Sequence, residues 1–518
     1  MLTLKKFGLR EIRQSNKSEV RPSQLPHENN LEVTQEILES GADKNNARPY
    51  KLPQYLAGMS ATLGSLAAGL VFGWSSPAGE DGANLSYPFK IDPNEFSWVT
   101  SIFSVGAAVI CIPIGMLTDL IGRRRAMLIL TVPFTIGWAC VIWPNSVTTL
   151  IFGRFILGVS GGAFGVTIPM YTGEIADPEI RGRLGCYAEL FFSAGILFAY
   201  ALGLLHDMFW LSLISASVPL IFCAVFFFMP ETPTYHLMKG DEQTARNTLI
   251  WLRGPHYDVD SELAEQRDAQ AEAKRNKVSF FTAIKSRVAL KGLFIAYGLM
   301  FFQKFSGIDG IIFYASTIFK DAIGDDADWS TIVMAVMQIT AVFLFTFVID
   351  RWGRRLLLMI SGVVMCLSTL IFGFYFYLDK NGTPMGNFSW LPLVCICSFN
   401  VFIAIGFNPI PWMMVGELFS PQIKGVAASS ACLLNWLLSF VVTKFYVEVK
   451  KEIEIGADET FWIFSLLCGL SVIFVFFVVP ETKCKTLEQI QIELAGYSAR
   501  EWPELQTNVA TTGREDTS

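Results

Sequence analysis

The feature that most constrains this chain is the recurrence of apolar blocks about twenty residues long. A bilayer core of roughly 30 Å is crossed by about 20 residues of α-helix, whose backbone satisfies its own hydrogen bonds where no water is present. The blocks fall near 54–74, 96–118, 126–143, 150–172, 185–205 and 208–229, then near 290–317, 330–349, 356–378, 390–414, 426–447 and 461–479. The predicted fold is therefore all-α, a polytopic membrane protein of twelve transmembrane helices. Residues 54–229 and 290–480 form two six-helix bundles, 230–289 a cytosolic linker, and 1–53 and 481–518 cytosolic tails. The Glu-, Ala- and Lys-rich run from Glu262 to Lys274 predicts short amphipathic surface helices within the linker.

Composition agrees: 52% of the 518 residues are hydrophobic and only 17% charged, with a mean hydropathy of +0.42. The first 53 residues are polar, so no signal peptide is expected. Apart from Cys484, the ten cysteines sit in apolar segments and none in a predicted outer loop, which implies no disulfide framework. Cys395 and Cys397 read as small core residues. His27, His206, His236 and His256 lie outside the apolar blocks or at their rims. No metal site, cofactor or nucleic-acid partner is expected, and no glycine-rich nucleotide loop or nucleophile–base pair points to an enzyme.

Charge sets the orientation. Arg123, Arg124, Arg125, Arg181, Arg183, Arg351, Arg354, Arg355 and Lys424 crowd the even-numbered loops, whereas the odd-numbered loops hold only Lys90, Lys320, Lys380, Lys450 and Lys451. The positive-inside rule then puts the linker and both termini in the cytosol. The glycosylation-type triplets at Asn84, Asn381 and Asn387 all fall in loops assigned outside.

The two halves repeat a set of charged motifs in one order. Asp119-Leu-Ile-Gly122-Arg123-Arg124 is matched by Asp350-Arg-Trp-Gly353-Arg354-Arg355. Glu174 with Pro178 and Arg181 is matched by Glu417 with Pro421 and Lys424. Pro230-Glu231-Thr232 is matched by Pro480-Glu481-Thr482. A lone Gly-Arg-Arg could be a simple anchor, but an anchor explains neither the paired acids nor their fixed order. Parallel six-helix repeats are the architecture of the major facilitator superfamily. The motif charges, together with Arg154, are expected at a cytosolic gate, able to pair across the bundles while that side is shut.

With these motifs, and with Gly153-Arg154, Pro230-Glu-Thr-Pro233, Pro409-Ile-Pro411-Trp412 and Pro480-Glu-Thr-Lys483, the chain resembles the sugar porters, the facilitative glucose transporter group. Within that group it looks most like insect facilitated trehalose transporters. The resemblance covers about 55 to 490 and implies a sugar site at mid-membrane depth on the fifth, seventh, eighth, tenth and eleventh helices. The matching positions are Glu189, Gln303, Lys304, Asp309, Gln338, Trp412 and Asn435, with Tyr314 at the family's outer gate. Side-chain amides suit sugar hydroxyls and an indole suits the C–H faces, although buried amides also join helices.

Three positions depart from the family pattern. Glu189 and Lys304 stand where glutamines are usual, and Asp309 where asparagine is. Ionisable groups at this depth cost about 2.5–3.5 kcal/mol each, so a compensating network through Lys304 is expected. Ala404 replaces the acid usually eight residues before the tryptophan, with Asn408 one turn later, and Cys484 replaces a glycine. Ser306-Gly307 is expected to break the seventh helix. The leading expectation is a plasma-membrane uniporter for trehalose or a hexose, its partners being the sugar and the lipid bilayer. The alternative is a proton-coupled symporter of a sugar, polyol or charged solute using Glu189 or Asp309, although Val71 stands where symporters carry a first-helix acid. A sugar-sensing receptor is a third expectation.

Overall fold

The computed structural model describes residues 49–79, 82–275, 286–324, 327–383, 388–452 and 456–495, and their side chains except those of 272–274, 348–350, 421–422 and 447–452. Asn387 and the side chain of Asp350 thus lie outside the described residues. Among the described residues the regular structure is helical, with no strand.

The first half holds α1 (Leu52–Gly73), α2 (Pro93–Ile110), α3 (Pro113–Ile121), α4 (Arg123–Ile142), α5 (Val147–Ile175), α6 (Pro178–Gly203) and α7 (Met208–Phe226). Three short helices follow, α8 (Pro233–Met238), α9 (Glu242–Arg253) and α10 (Val259–Arg275). The second half holds α11 (Arg287–Phe305), α12 (Ile308–Phe313), α13 (Ala315–Ile323), α14 (Ala327–Trp352), α15 (Arg354–Lys380), α16 (Leu391–Ile405), α17 (Ile410–Leu418), α18 (Pro421–Glu452) and α19 (Ala457–Val478), before α20 (Leu487–Ala495). Among the described residues eleven helical spans are long and apolar enough to cross a membrane, and α2 with α3 makes a twelfth, bent by 52°. Large apolar side chains such as Met116, Phe228 and Phe477 point outward, as a lipid-facing surface requires.

The predicted crossings all contain helix, but three of them are broken. Pro113 ends the second crossing's first segment, because it has no N–H and crowds the preceding turn. Gly307 interrupts the seventh in a left-handed conformation (φ 91°), as expected, and Tyr314 interrupts it again. The tenth breaks between Gly406 and Pro409, where prolines 409 and 411 withhold their amide donors.

The helices α8–α10 define what we term the linker side; the opposite side is the far side. They dock on the first half. Arg253, buried at the end of α9, donates to the Ile175 carbonyl at 2.8 Å and pairs with Glu262 at 2.8 Å. The second half carries α20 in a similar place, where Lys291 donates to the Leu494 carbonyl at 2.8 Å.

The repeated motifs meet in space in the same way twice. Glu231 accepts from the Arg124 amide at 3.0 Å, and Glu481 accepts from the amides of Arg354 (3.0 Å) and Arg355 (3.1 Å). Each carboxylate thus caps the helix that starts after a glycine, where free N–H groups and the helix dipole favour negative charge. Gly122 (φ 103°) and Gly353 (φ 85°) give way to these carboxylates: a Cβ on either would collide with the glutamate oxygens. Arg124 and Arg355 fold back to the Phe227 and Phe476 carbonyls, each over the ring of the same residue at 5.4 Å. Cys484, where the family has glycine, keeps the left-handed backbone (φ 56°) that explains the usual residue.

Gly122→Ala and Gly353→Ala are each expected to cost about 1–3 kcal/mol, read as a lowered melting temperature in detergent. Gly425→Ala, where a Cβ meets nothing within 4 Å, should not. Burial pushes the Glu481 carboxyl up, but the backbone amides of Lys483, Arg354, Arg355 and Thr482 outweigh it and hold it below the usual range. Its contribution is therefore complete above the unfolded-chain value of about 4.3 and fades as pH falls through the lower folded value. Glu481→Gln should flatten that acid limb of the melting-temperature profile.

Candidate functional site

Two helix breaks build the centre. On an unbroken helix, residues five apart lie roughly 140° around the axis. The left-handed Gly307, with Ser306 Oγ donating to the Gln303 carbonyl at 2.7 Å, turns α12 so that Asp309 faces back to Lys304. Lys304 Nζ lies 3.0 and 2.9 Å from the two Asp309 oxygens, and 5.6 Å from the Trp436 ring centroid. All three groups sit within the protein, where a charge needs its partner.

The second break puts Asn408 in a non-helical stretch between α16 and α17. Gln303 Nε2 donates to both its backbone carbonyl and its Oδ1, each at 3.2 Å. Asn408 Nδ2 in turn donates to Glu189 Oε1 on α6 at 2.5 Å. At the other end, Asn435 Nδ2 donates to Gln303 Oε1 at 2.6 Å. One chain of amides and a carboxylate therefore runs Asn435–Gln303–Asn408–Glu189, from the second half into the first.

Of the residues expected to bind solute, Glu189, Gln303 and Asn435 meet in this chain, and Lys304 with Asp309 forms the adjoining pair. Of the two acids open to Lys304, Glu189 and Asp309, the lysine meets Asp309, and Glu189 is held by Asn408. Gln338 on α14 lies apart, its Nε2 at 3.5 Å from Ser193 Oγ of α6. Trp412 lies one turn beyond Asn408 and keeps 39% of its surface exposed. Asn408 and Trp436 are central residues that were not expected as ligands. The prolines that follow Asn408 and the polar neighbour of Trp436 were the available signals.

On the far side the halves are tied together. Tyr314, expected as an outer gate, is buried with its hydroxyl 2.7 Å from Thr100 Oγ1 and its ring stacked on Tyr446 at 5.2 Å. Tyr200 donates to the Ile312 carbonyl at 2.7 Å, the Ser316 amide donates to Ser76 Oγ at 2.9 Å, and Lys444 donates to Asn94 at 2.8 Å. Phe72 packs on Phe313 at 4.3 Å between ring centroids.

The linker-side charges behave otherwise. Arg123 bridges Asp119 and Glu174, each at 3.0 Å, and Arg354 pairs with Glu417 at 3.0 Å. Arg181 reaches the Ala176 carbonyl at 3.4 Å, and Lys424 is exposed. The ion pairs described for these residues stay inside one half, whereas the far-side bonds described above join the two halves. Asn84 and Asn381 are exposed in far-side turns.

Arg154 corrects an expectation. It does not lie with the linker-side charges, because α5 starts on the far side. The twenty residues that separate it from Glu174 amount to about 30 Å of helix. It is fully buried, donating to the Val71 carbonyl (2.8 Å), Ser75 Oγ (2.8 Å) and the Val99 carbonyl (3.2 Å), with the Trp74 ring 5.0 Å away. It fastens the far ends of α1 and α2 to α5.

A family model described as sugar (and other) transporter matches residues 34–494. The facilitated trehalose transporter Tret1 of Drosophila virilis is 37% identical over 473 residues, covering 89% of this chain and 51% of the relative. Tret1-1 of Drosophila sechellia is 36% identical over 474 residues, covering 89% and 55%. The chain spans about half the length of the curated relatives it matches. The E. coli xylose transporter XylE, in a partially occluded inward-open conformation, superposes with a TM-score of 0.71 at 21% identity, over 84% of this chain and 99% of that one. Another XylE structure, named a major facilitator superfamily protein, gives 0.70 at 22%, over 85% and 99%. The fold is theirs.

Lys304→Gln should cost about 3–5 kcal/mol, because it leaves Asp309 charged and unmatched. Lys304→Gln with Asp309→Asn should recover most of that loss, as read from unfolding in detergent.

Proposed function

Since the chain belongs to the sugar (and other) transporter family, we propose that it carries a sugar, trehalose or a hexose, across a membrane by alternating access and without a coupled proton. The observation that supports this most is the chain Asn435–Gln303–Asn408–Glu189, which joins the halves at the centre. A solute rich in hydroxyls can exchange with these bonds one for one, so the site is desolvated without orphaned polar groups. The indoles of Trp412 and Trp436 offer apolar faces to sugar C–H groups. The Drosophila relatives, facilitated trehalose transporters by name, support trehalose as the first sugar to try.

In the cycle, solute bound between the halves draws the linker side together, and the far-side bonds give way. Those bonds are worth about 1 kcal/mol each. Charges freed to pair across the linker side offset their loss, individually by about 0–1 kcal/mol where exposed. Asp119, Arg123, Arg124, Glu174, Arg181, Glu231, Asp350, Arg354, Arg355, Glu417, Lys424 and Glu481 are the residues available for that clasp. Uniport is favoured because Asp309 already has a lysine partner and Val71 supplies no first-helix acid. In this reading the protein sits in the plasma membrane with the linker side and both termini in the cytosol, and Asn84, Asn381 and Asn387 face the exterior.

Proteoliposomes holding the protein should take up labelled trehalose or glucose with no change in a lumenal pH dye. Gln303→Ala and Asn435→Ala should each slow uptake by about five- to tenfold, the loss of one to two hydrogen bonds. Lumenal acidification in step with solute entry would overturn uniport, and no uptake of any sugar or polyol would overturn the sugar.

A further inference from the structure

Cys111 and Cys432 lie 321 residues apart in the chain and in different halves, yet their sulfurs are 3.1 Å apart, both as free thiols. Cys111 is fully buried at the break between α2 and α3, with Sγ also 3.0 Å from the Ala107 carbonyl. Cys432 lies on α18, one turn before Asn435 and Trp436 of the central site, and keeps 7% of its surface exposed. The two sulfurs end a seam in which α2 and α18 touch from the far side inward. Asn94 meets Lys444 at 2.8 Å, Trp98 meets Phe440 at 5.8 Å between ring centroids, and Ser104 meets Ser439 at 3.0 Å. These three links are hydrogen bonds or a ring contact that can part reversibly. The thiols alone can be joined covalently, and a disulfide of about 2.0 Å requires the sulfurs to move by only roughly 1 Å.

We propose that Cys111 and Cys432 form an oxidative modification site, closed to a disulfide by a two-electron oxidant of the hydroperoxide class, which locks the halves together along α2 and α18. The less buried Cys432 thiol gives up its proton and its sulfur attacks one oxygen of hydrogen peroxide; the O–O bond breaks, the leaving hydroxide takes up that proton as water, and a sulfenic acid remains on Cys432. Cys111 then attacks that sulfur and releases a second water. Two thiols and one peroxide become one disulfide and two waters, so the two electrons come from sulfur and end on oxygen. Because the resolving thiol is already in contact, the sulfenic acid is consumed before further oxidation. A thiol reductant reverses the bond. The consequence for transport rests on the alternating-access reading above, whereas the bond itself does not.

The test uses the full chain in proteoliposomes, untreated, treated with hydrogen peroxide, or treated and then reduced with dithiothreitol. Mass spectrometry of a non-reducing digest should find one peptide joining residues 111 and 432, and the oxidised protein should melt at a higher temperature than the reduced one. Labelled trehalose uptake should fall at least tenfold on oxidation and return on reduction. Cys111→Ser and Cys432→Ser should keep basal uptake and lose the response. Absence of the joined peptide, or an equal loss of uptake in the serine variants, overturns the site. A joined peptide with unaltered uptake overturns the lock. A reduced protein that moves no sugar or polyol counts against the transport reading, and the peptide measurement stands apart from it.

Discussion

Hydrocarbon offers no hydrogen bonds, and most of this molecule follows from that single constraint. Every backbone group within the bilayer must be satisfied by the chain itself, which is why the described spans are helices. Where a helix is interrupted, the freed groups are used. The break at Gly307 turns Asp309 onto Lys304, and the break around Asn408 exposes a carbonyl and an amide to Gln303. In these two breaks the irregular backbone lies where polar chemistry is assembled and where the protein, rather than lipid, surrounds it.

The same constraint accounts for the duplicated corners on the linker side. A helix that begins at the membrane surface has unbonded amides, and a glutamate brought from the end of a distant helix answers them in both halves. Because glycine alone lets the carboxylate approach so closely, the Gly-Arg-Arg and Pro-Glu-Thr motifs are two parts of one joint. Arg154 shows the other solution to an isolated charge, a guanidinium divided among carbonyls and a hydroxyl with an indole at its side.

Much of this was legible in the sequence, because apolar length and charge repetition are properties of the chain itself. Crossing number, the Gly307 break and the kinship of the two halves could all be read from residue order. Breaks that depend on a single proline inside an apolar block, as at Pro113, were hidden by the continuity of hydropathy. Arg154 was misplaced through grouping by motif, although α5's direction already put its start on the far side. The pairing of Glu189 with Asn408 was not legible, because which polar groups meet depends on how two breaks aim them. Periodicity reports faces of helices, and it is silent where a helix stops.

The arrangement around Gly307 has a mechanical meaning. Gln303, which holds the centre, lies near the end of one rod of the seventh crossing, and Tyr314, bonded to Thr100 on the far side, closes the short rod α12 that begins after Gly307. Phe464 packs against that residue so closely that a Cβ would strike its ring. The crossing is therefore jointed twice, at Gly307 and at Tyr314, and the six residues of α12 between the joints link the centre to the far-side contacts. A link of this kind needs no long relay of side chains, only a short rod set between two breaks.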